Sequence, residues 1–128
     1  MSITENQARV RKWLEERPTL LAHNRDPLKV LTLASLEIIE AIEARGDKDK
    51  LGHELADVMW YVLSLAETEG IDLEESFDEK LLRNKIKYPP EYFQDGDYEE
   101  ARNRARKEWA EAGGDEAYFT YFSEPKQP

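Results

Sequence analysis

Two pairs of carboxylates stand out in this chain because of where they sit: Glu37 with Glu40, and Glu54 with Asp57. Each pair is spaced i, i+3, so on a helix its members lie ~60° apart on one face. The first pair is set among Val30, Leu33 and Leu36, and no arginine shares that face. Carboxylates in apolar surroundings lose hydration unless a partner replaces the water. The second pair borders an arc of Leu51, Leu55, Val58, Met59, Val62, Leu65 and Ala66. Two antiparallel helices would turn both pairs toward one space, where four carboxylates repel and raise one another's pKa. A hard divalent cation relieves that repulsion, and all-oxygen ligation selects Mg²⁺ or Mn²⁺ over zinc. One such pair is ordinarily a solvated face; two pairs beside apolar arcs make a candidate metal site. A di-iron bundle would need Glu-x-x-His. His53 precedes Glu54 and His23 falls in an expected loop, so that alternative fails.

The opposite charge follows downstream. Lys80, Asn84 and Lys87 share one helical face, with Tyr88 and Pro89 directly after. Metal and lysines together suit a polyphosphate, the cation bridging some oxygens and the ammonium groups neutralising others. Neither Gly-x-x-x-x-Gly-Lys-Ser/Thr nor Gly-x-Gly-x-x-Gly occurs, so phosphates are not expected in a P-loop or Rossmann manner.

The elements that must hold these residues are helical, and the expected class is all-α. Ser2 with Glu5 has capping-box spacing for a first helix carrying Ala8, Val10, Trp13 and Leu14, stopped near Pro18. After a loop through His23, Asp26-Pro27 opens a second helix that runs to about Ala44 and stops at Gly46. Its apolar residues cover nearly the whole circumference, which predicts a buried helix. A third begins at Asp47 to Asp49 and closes at Gly70; a fourth, Leu73 to Lys87, opens on Asp72 and Glu75 and ends at Pro89-Pro90. Short connections predict a four-helix-bundle core over 1–90. An accessory segment over 91–128 holds a charged helix, Tyr98 to Ala112, and an aromatic cluster, Tyr118 to Phe122. At 128 residues the whole suits one domain.

The charge balance is −10, from 28 acids against 18 bases. Such acidity opposes a nucleic-acid backbone, and no nucleic-acid polymer is expected as partner. No apolar run or signal-like amino terminus is present, so a cytoplasmic, non-membrane protein is expected. Without cysteine there is no thiolate site or nucleophile.

Placed in order, these motifs resemble the all-α nucleoside triphosphate pyrophosphatases of MazG and dCTP-pyrophosphatase type. The family's Glu-x-x-Glu and Glu-x-x-Asp read here as Glu37-Ile38-Ile39-Glu40 and Glu54-Leu55-Ala56-Asp57, with Glu43 resembling a third acid. Gly70-Ile71-Asp72-Leu73 resembles the family's link between helices. Lys80 to Pro89 resembles the segment Lys-x-x-x-Asn-x-x-Arg/Lys-Tyr-Pro, and Pro27 the proline that opens the first acidic helix. The match spans roughly Pro27 to Pro89. Leu36 departs from the glycine common before the first acid, and nothing after Pro90 has a counterpart.

The resemblance implies a Mg²⁺-dependent enzyme, with Mn²⁺ able to substitute, that cleaves the α–β anhydride of nucleoside triphosphates to monophosphate and pyrophosphate. Deoxypyrimidine or non-canonical nucleotides would be its substrates and pool sanitation its role. Glu37, Glu40, Glu54 and Asp57 would hold metal, one of the first pair activating water. Lys80, Asn84, Lys87 and Tyr88 would bind phosphate or sugar, and Trp13 would either stack on the base or serve the core. A homodimer or homotetramer is implied. Phosphoribosyl-ATP pyrophosphohydrolase is the alternative within the enzyme class; a non-catalytic helical oligomer or adaptor with a structural metal is the alternative outside it.

Overall fold

The computed structural model describes residues 1–117, and among them every regular element is a helix. The aromatic cluster from Tyr118 to Phe122 lies outside the described residues. Helix α1 (Ile3–Glu15) opens on Ser2, whose Oγ accepts the Glu5 amide at 3.0 Å. The segment expected as a loop through His23 instead forms a short helix, α2 (Pro18–Asn24). Pro18 sits in its first turn, where a missing N–H leaves no bond unmade, so the proline starts a helix as well as ending one.

Helix α3 (Pro27–Glu43) is capped by Asp26, which accepts the Leu28 amide at 3.1 Å. Helix α4 (Lys48–Glu69) is capped by Asp47 and ends on Gly70 at φ 68°, a left-handed conformation that favours glycine. Helix α5 (Leu73–Lys87) follows, with Asp72 accepting the Glu75 amide at 3.1 Å. A short 3₁₀ turn (Pro90–Phe93) leads to α6 (Tyr98–Glu111), capped by Asp97.

The chain divides into compact units at residues 76 and 77, within α5, whereas the composition changes at Pro90. In the first unit α4 is the central element, packed by α1, α2 and α3. Val10, Leu14 and Leu63 form the core, ringed by Ile3, Trp13, Leu20, Leu21, Trp60 and Leu73. Gln7, itself buried, staples the α4–α5 turn to α1. Its Nε2 donates to Glu67 Oε1 at 3.1 Å and to the Ile71 carbonyl at 2.9 Å, while its Oε1 accepts the Leu73 amide at 3.0 Å. Every strong hydrogen-bonding position of that amide but one lone pair is thereby used.

The expectation that α3 is buried all round is not met in the single chain. Of its residues only Val30 is buried. Small and acidic residues, Ala34, Glu37 and Ala41, occupy the arc toward α4, whereas Leu28, Leu31, Ile38, Ile39 and Ile42 are each 49% exposed or more. Apolar periodicity shows which faces avoid water but not whether the same chain covers them.

In the second unit Ala105 of α6 is buried, and Tyr92 donates its hydroxyl hydrogen to Glu108. Arg83 grips Asp115 through two bonds, Nε at 2.7 Å and Nη2 at 3.0 Å, and Trp109 Nε1 donates to the same carboxylate at 3.1 Å.

Candidate metal site between the acidic helices

Because α3 and α4 are joined by a four-residue turn, they run antiparallel, and the acid pairs meet from opposite directions. Glu37, Glu54 and Asp57 each offer an oxygen lying within 4.8 Å of the others. That spread is close to the separation of oxygens around one small cation. Glu37 and Glu54 are half-buried and Asp57 is exposed, so the cluster has two walled ligands and one open side.

Glu37 Oε2 and Glu54 Oε2 are both sealed from solvent, and neither has a hydrogen-bond partner. Buried carboxylate oxygens are ordinarily paired, and orphans of this kind mark a missing ion or proton. The titration behaviour agrees. Burial foremost, then contact with the Glu40 and Glu54 carboxyls, pushes Glu37 up to about 7. Glu54 is raised by burial and by Glu40. Glu40 itself stands exposed on α3, near enough to act on both yet outside the three-oxygen group. Oxygen-only donors of this charge suit a hard divalent ion, and no thiolate is present among them.

Tyr61 was not among the residues singled out from sequence. It follows Glu54 by seven residues and Asp57 by four, so all three share one face of α4. Its hydroxyl is raised by burial first and then by the charges of Glu37, Asp57 and Glu40. The same wheel that placed the acids would have found it.

Trp13 packs edge-to-face against Trp60 at 4.7 Å between ring centroids, with the Arg17 guanidinium 3.9 Å over its ring. Trp13 thus packs, partly buried, against the core. Glu43 and His53 are exposed. Lys80 and Asn84 are exposed on α5, and Asn84 accepts from Arg83. Lys87 is half-buried near the Tyr88 and Trp109 rings. Tyr88 is lowered, chiefly by the Arg106 guanidinium donating to its oxygen at 3.5 Å. Arg83 is the half-buried partner of Asp115.

A cluster of carboxylates between two antiparallel helices is an arrangement that could hold a divalent ion, and the family comparison points to nucleotide chemistry. Residues 28–89 match the model of the MazG nucleotide pyrophosphohydrolase domain. That segment, a little under half of the chain, is consistent with the MazG-like, all-α nucleoside triphosphate pyrophosphatase superfamily, and it holds both acid pairs, Tyr61 and the Lys80-to-Pro89 block. No curated protein and no solved structure matches the chain. Among the described residues, no helix is long and apolar enough to cross a membrane.

Proposed function

We propose that this protein is a Mg²⁺-dependent pyrophosphohydrolase that cleaves the α–β anhydride of ribo- or deoxyribonucleoside triphosphates, releasing monophosphate and pyrophosphate. Deoxypyrimidine or non-canonical nucleotides are its substrates, and clearing them from the nucleotide pool is its role. The observation that carries the reading is the pair of sealed, partnerless oxygens on Glu37 and Glu54, inside the segment that matches the family. Glu37, Glu40, Glu54 and Asp57 are the residues that would hold the ion. Bound there, Mg²⁺ supplies positive charge to phosphate oxygens. A carboxylate of the first pair, Glu37 or Glu40, accepts the proton of the attacking water as its oxygen bonds to phosphorus. The bridging oxygen then leaves with pyrophosphate. Lys80, Asn84, Lys87 and Tyr88 are assigned phosphate and sugar contacts on the residue pattern of the matched segment alone.

A second copy of the chain is assigned to the outward face of α3. Leu28, Leu31, Ile38, Ile39 and Ile42 are each 49% exposed or more and share one face of the helix, a contiguous apolar patch of the kind that marks an interaction surface. The two hydroxyls within it are turned back on their own helix, Thr32 to the Leu28 carbonyl at 2.7 Å and Ser35 to the Leu31 carbonyl at 2.8 Å. Such a face suits dry, self-complementary packing.

The test is pyrophosphate release from a full panel of ribo- and deoxyribonucleoside triphosphates with Mg²⁺, plus phosphoribosyl-ATP. Turnover of at least one triphosphate, lost in Glu54→Gln, is expected. Turnover of phosphoribosyl-ATP alone would transfer the protein to the alternative enzyme. No turnover of any substrate by folded, metal-loaded protein would leave only the structural-metal reading.

A further inference from the structure

We infer that the buried Asn24–Ser64 hydrogen bond is a register pin, which sets α3 against α4 so that Glu37, Glu54 and Asp57 meet. The inference rests on the proposed reading that those carboxylates hold a divalent cation.

Asn24 is 2% exposed and Ser64 0%, and the Asn24 amide donates to Ser64 Oγ at 2.9 Å. His23 Nδ1 lies 2.8 Å from Asn24 Oδ1, and an N–H there would fix the amide with its NH₂ toward the serine. Asn24 ends α2 two residues before the α3 cap, Asp26. Ser64 lies seven residues beyond Asp57 on α4. At ~1.5 Å per residue Ser64 therefore sits about 10–15 Å along α4 from Asp57 and Glu54. The pin lies toward one end of the antiparallel contact and the acids near its middle.

Apart from Val30, which is fully buried, and half-buried Leu33, the arc of α3 that is shielded from solvent carries only small groups, Ala34 and Ala41, that can slide past a neighbour, and the acids repel one another. A slip of one helical turn displaces a side chain by ~5.4 Å, more than the whole 4.8 Å spread of the ligand oxygens. A directional bond buried in an otherwise apolar seam removes such alternatives, as buried asparagines do in coiled coils. Asn24 and Ser64 are thus positioning residues that touch no substrate.

The asymmetry of buried hydrogen bonds gives the test. Replacing both partners by apolar groups leaves no unsatisfied group and is nearly neutral for stability, whereas removing one leaves an orphan. The double variant Asn24→Leu, Ser64→Ala and the conservative variant Ser64→Thr would be compared with wild type. Mn²⁺ affinity would be read by calorimetry and electron paramagnetic resonance, and thermal unfolding followed by circular dichroism. The expected result is a roughly tenfold or greater loss of Mn²⁺ affinity in the double variant without a matching fall in Tm, and wild-type affinity in Ser64→Thr. Wild-type Mn²⁺ affinity in a folded double variant overturns the pin. If the double variant does not fold, loss of affinity in folded Ser64→Ala supports the pin, and unchanged affinity there overturns it. Absence of Mn²⁺ binding by wild-type protein overturns instead the metal reading on which the pin rests.

Discussion

On the proposed reading, a divalent cation that binds the acid cluster must expel the proton that Glu37 holds. Glu37, ordinarily near 4.5, stands at about 7 because burial and neighbouring carboxyls disfavour its charge. A metal ligand has to be deprotonated, so the protons released on binding equal those carried beforehand. With a pKa of about 7, Glu37 carries ~0.9 proton at pH 6, ~0.5 at pH 7 and ~0.1 at pH 8. Titrating Mn²⁺ into the protein by calorimetry, in buffers of differing ionisation enthalpy, measures that release directly. The Glu37 share of the expected curve falls from nearly one proton to nearly none between pH 6 and pH 8, to which Glu54, also raised, adds its own, with affinity rising over the same span. Glu37→Gln should flatten it while weakening binding. Release that stayed near zero at pH 6 would refute the reasoning, since Glu37 would then be ionised without the ion. The sign for folding follows from the same group. Between about 4.5 and 7 the folded state holds more protons than the unfolded chain, so stability of the metal-free protein declines as pH rises through that window. Saturating Mn²⁺ should abolish the decline.

Three further outcomes are expected. Ile39→Glu should lower the sedimentation coefficient to that of a monomer without loss of helical circular dichroism, because a charge on the outer α3 face opposes packing against a second copy. Leu14, 1% exposed in the core, should cost about 2–5 kcal/mol when cut to alanine, read by urea unfolding with fitted m-values. Asp115, held down to about 2 by the Arg83 guanidinium and the Trp109 N–H, contributes stability above the ordinary carboxylate pKa that disappears as pH falls toward 2. Acid unfolding followed by tryptophan fluorescence should lose that limb in Asp115→Asn.

The caps Ser2, Asp26 and Asp72, and the stops at Gly70 and Pro89, were legible because local chemistry decides them. The two acid pairs were legible because spacing and apolar neighbours together specify a face. The three-oxygen cluster was less so: sequence weighs Glu40 like Glu37, whereas only the helix crossing leaves Glu40 outside. Pro18 was ambiguous, since proline both ends and begins helices. The exposed flank of α3 could not be read at all, because its cover is decided by what packs there and not by its own periodicity. The Asn24–Ser64 bond joins residues 40 positions apart, beyond the reach of any local pattern.

The Gln7 staple bears on how the chain is made. Its partners Glu67, Ile71 and Leu73 lie 60, 64 and 66 residues downstream. During synthesis from the amino end, α1 therefore waits through most of the first unit's translation before its side-chain clasp can close. Until Leu63 has emerged from the ribosome, Val10 and Leu14 lack their core partner, so the core of this unit closes late in its synthesis.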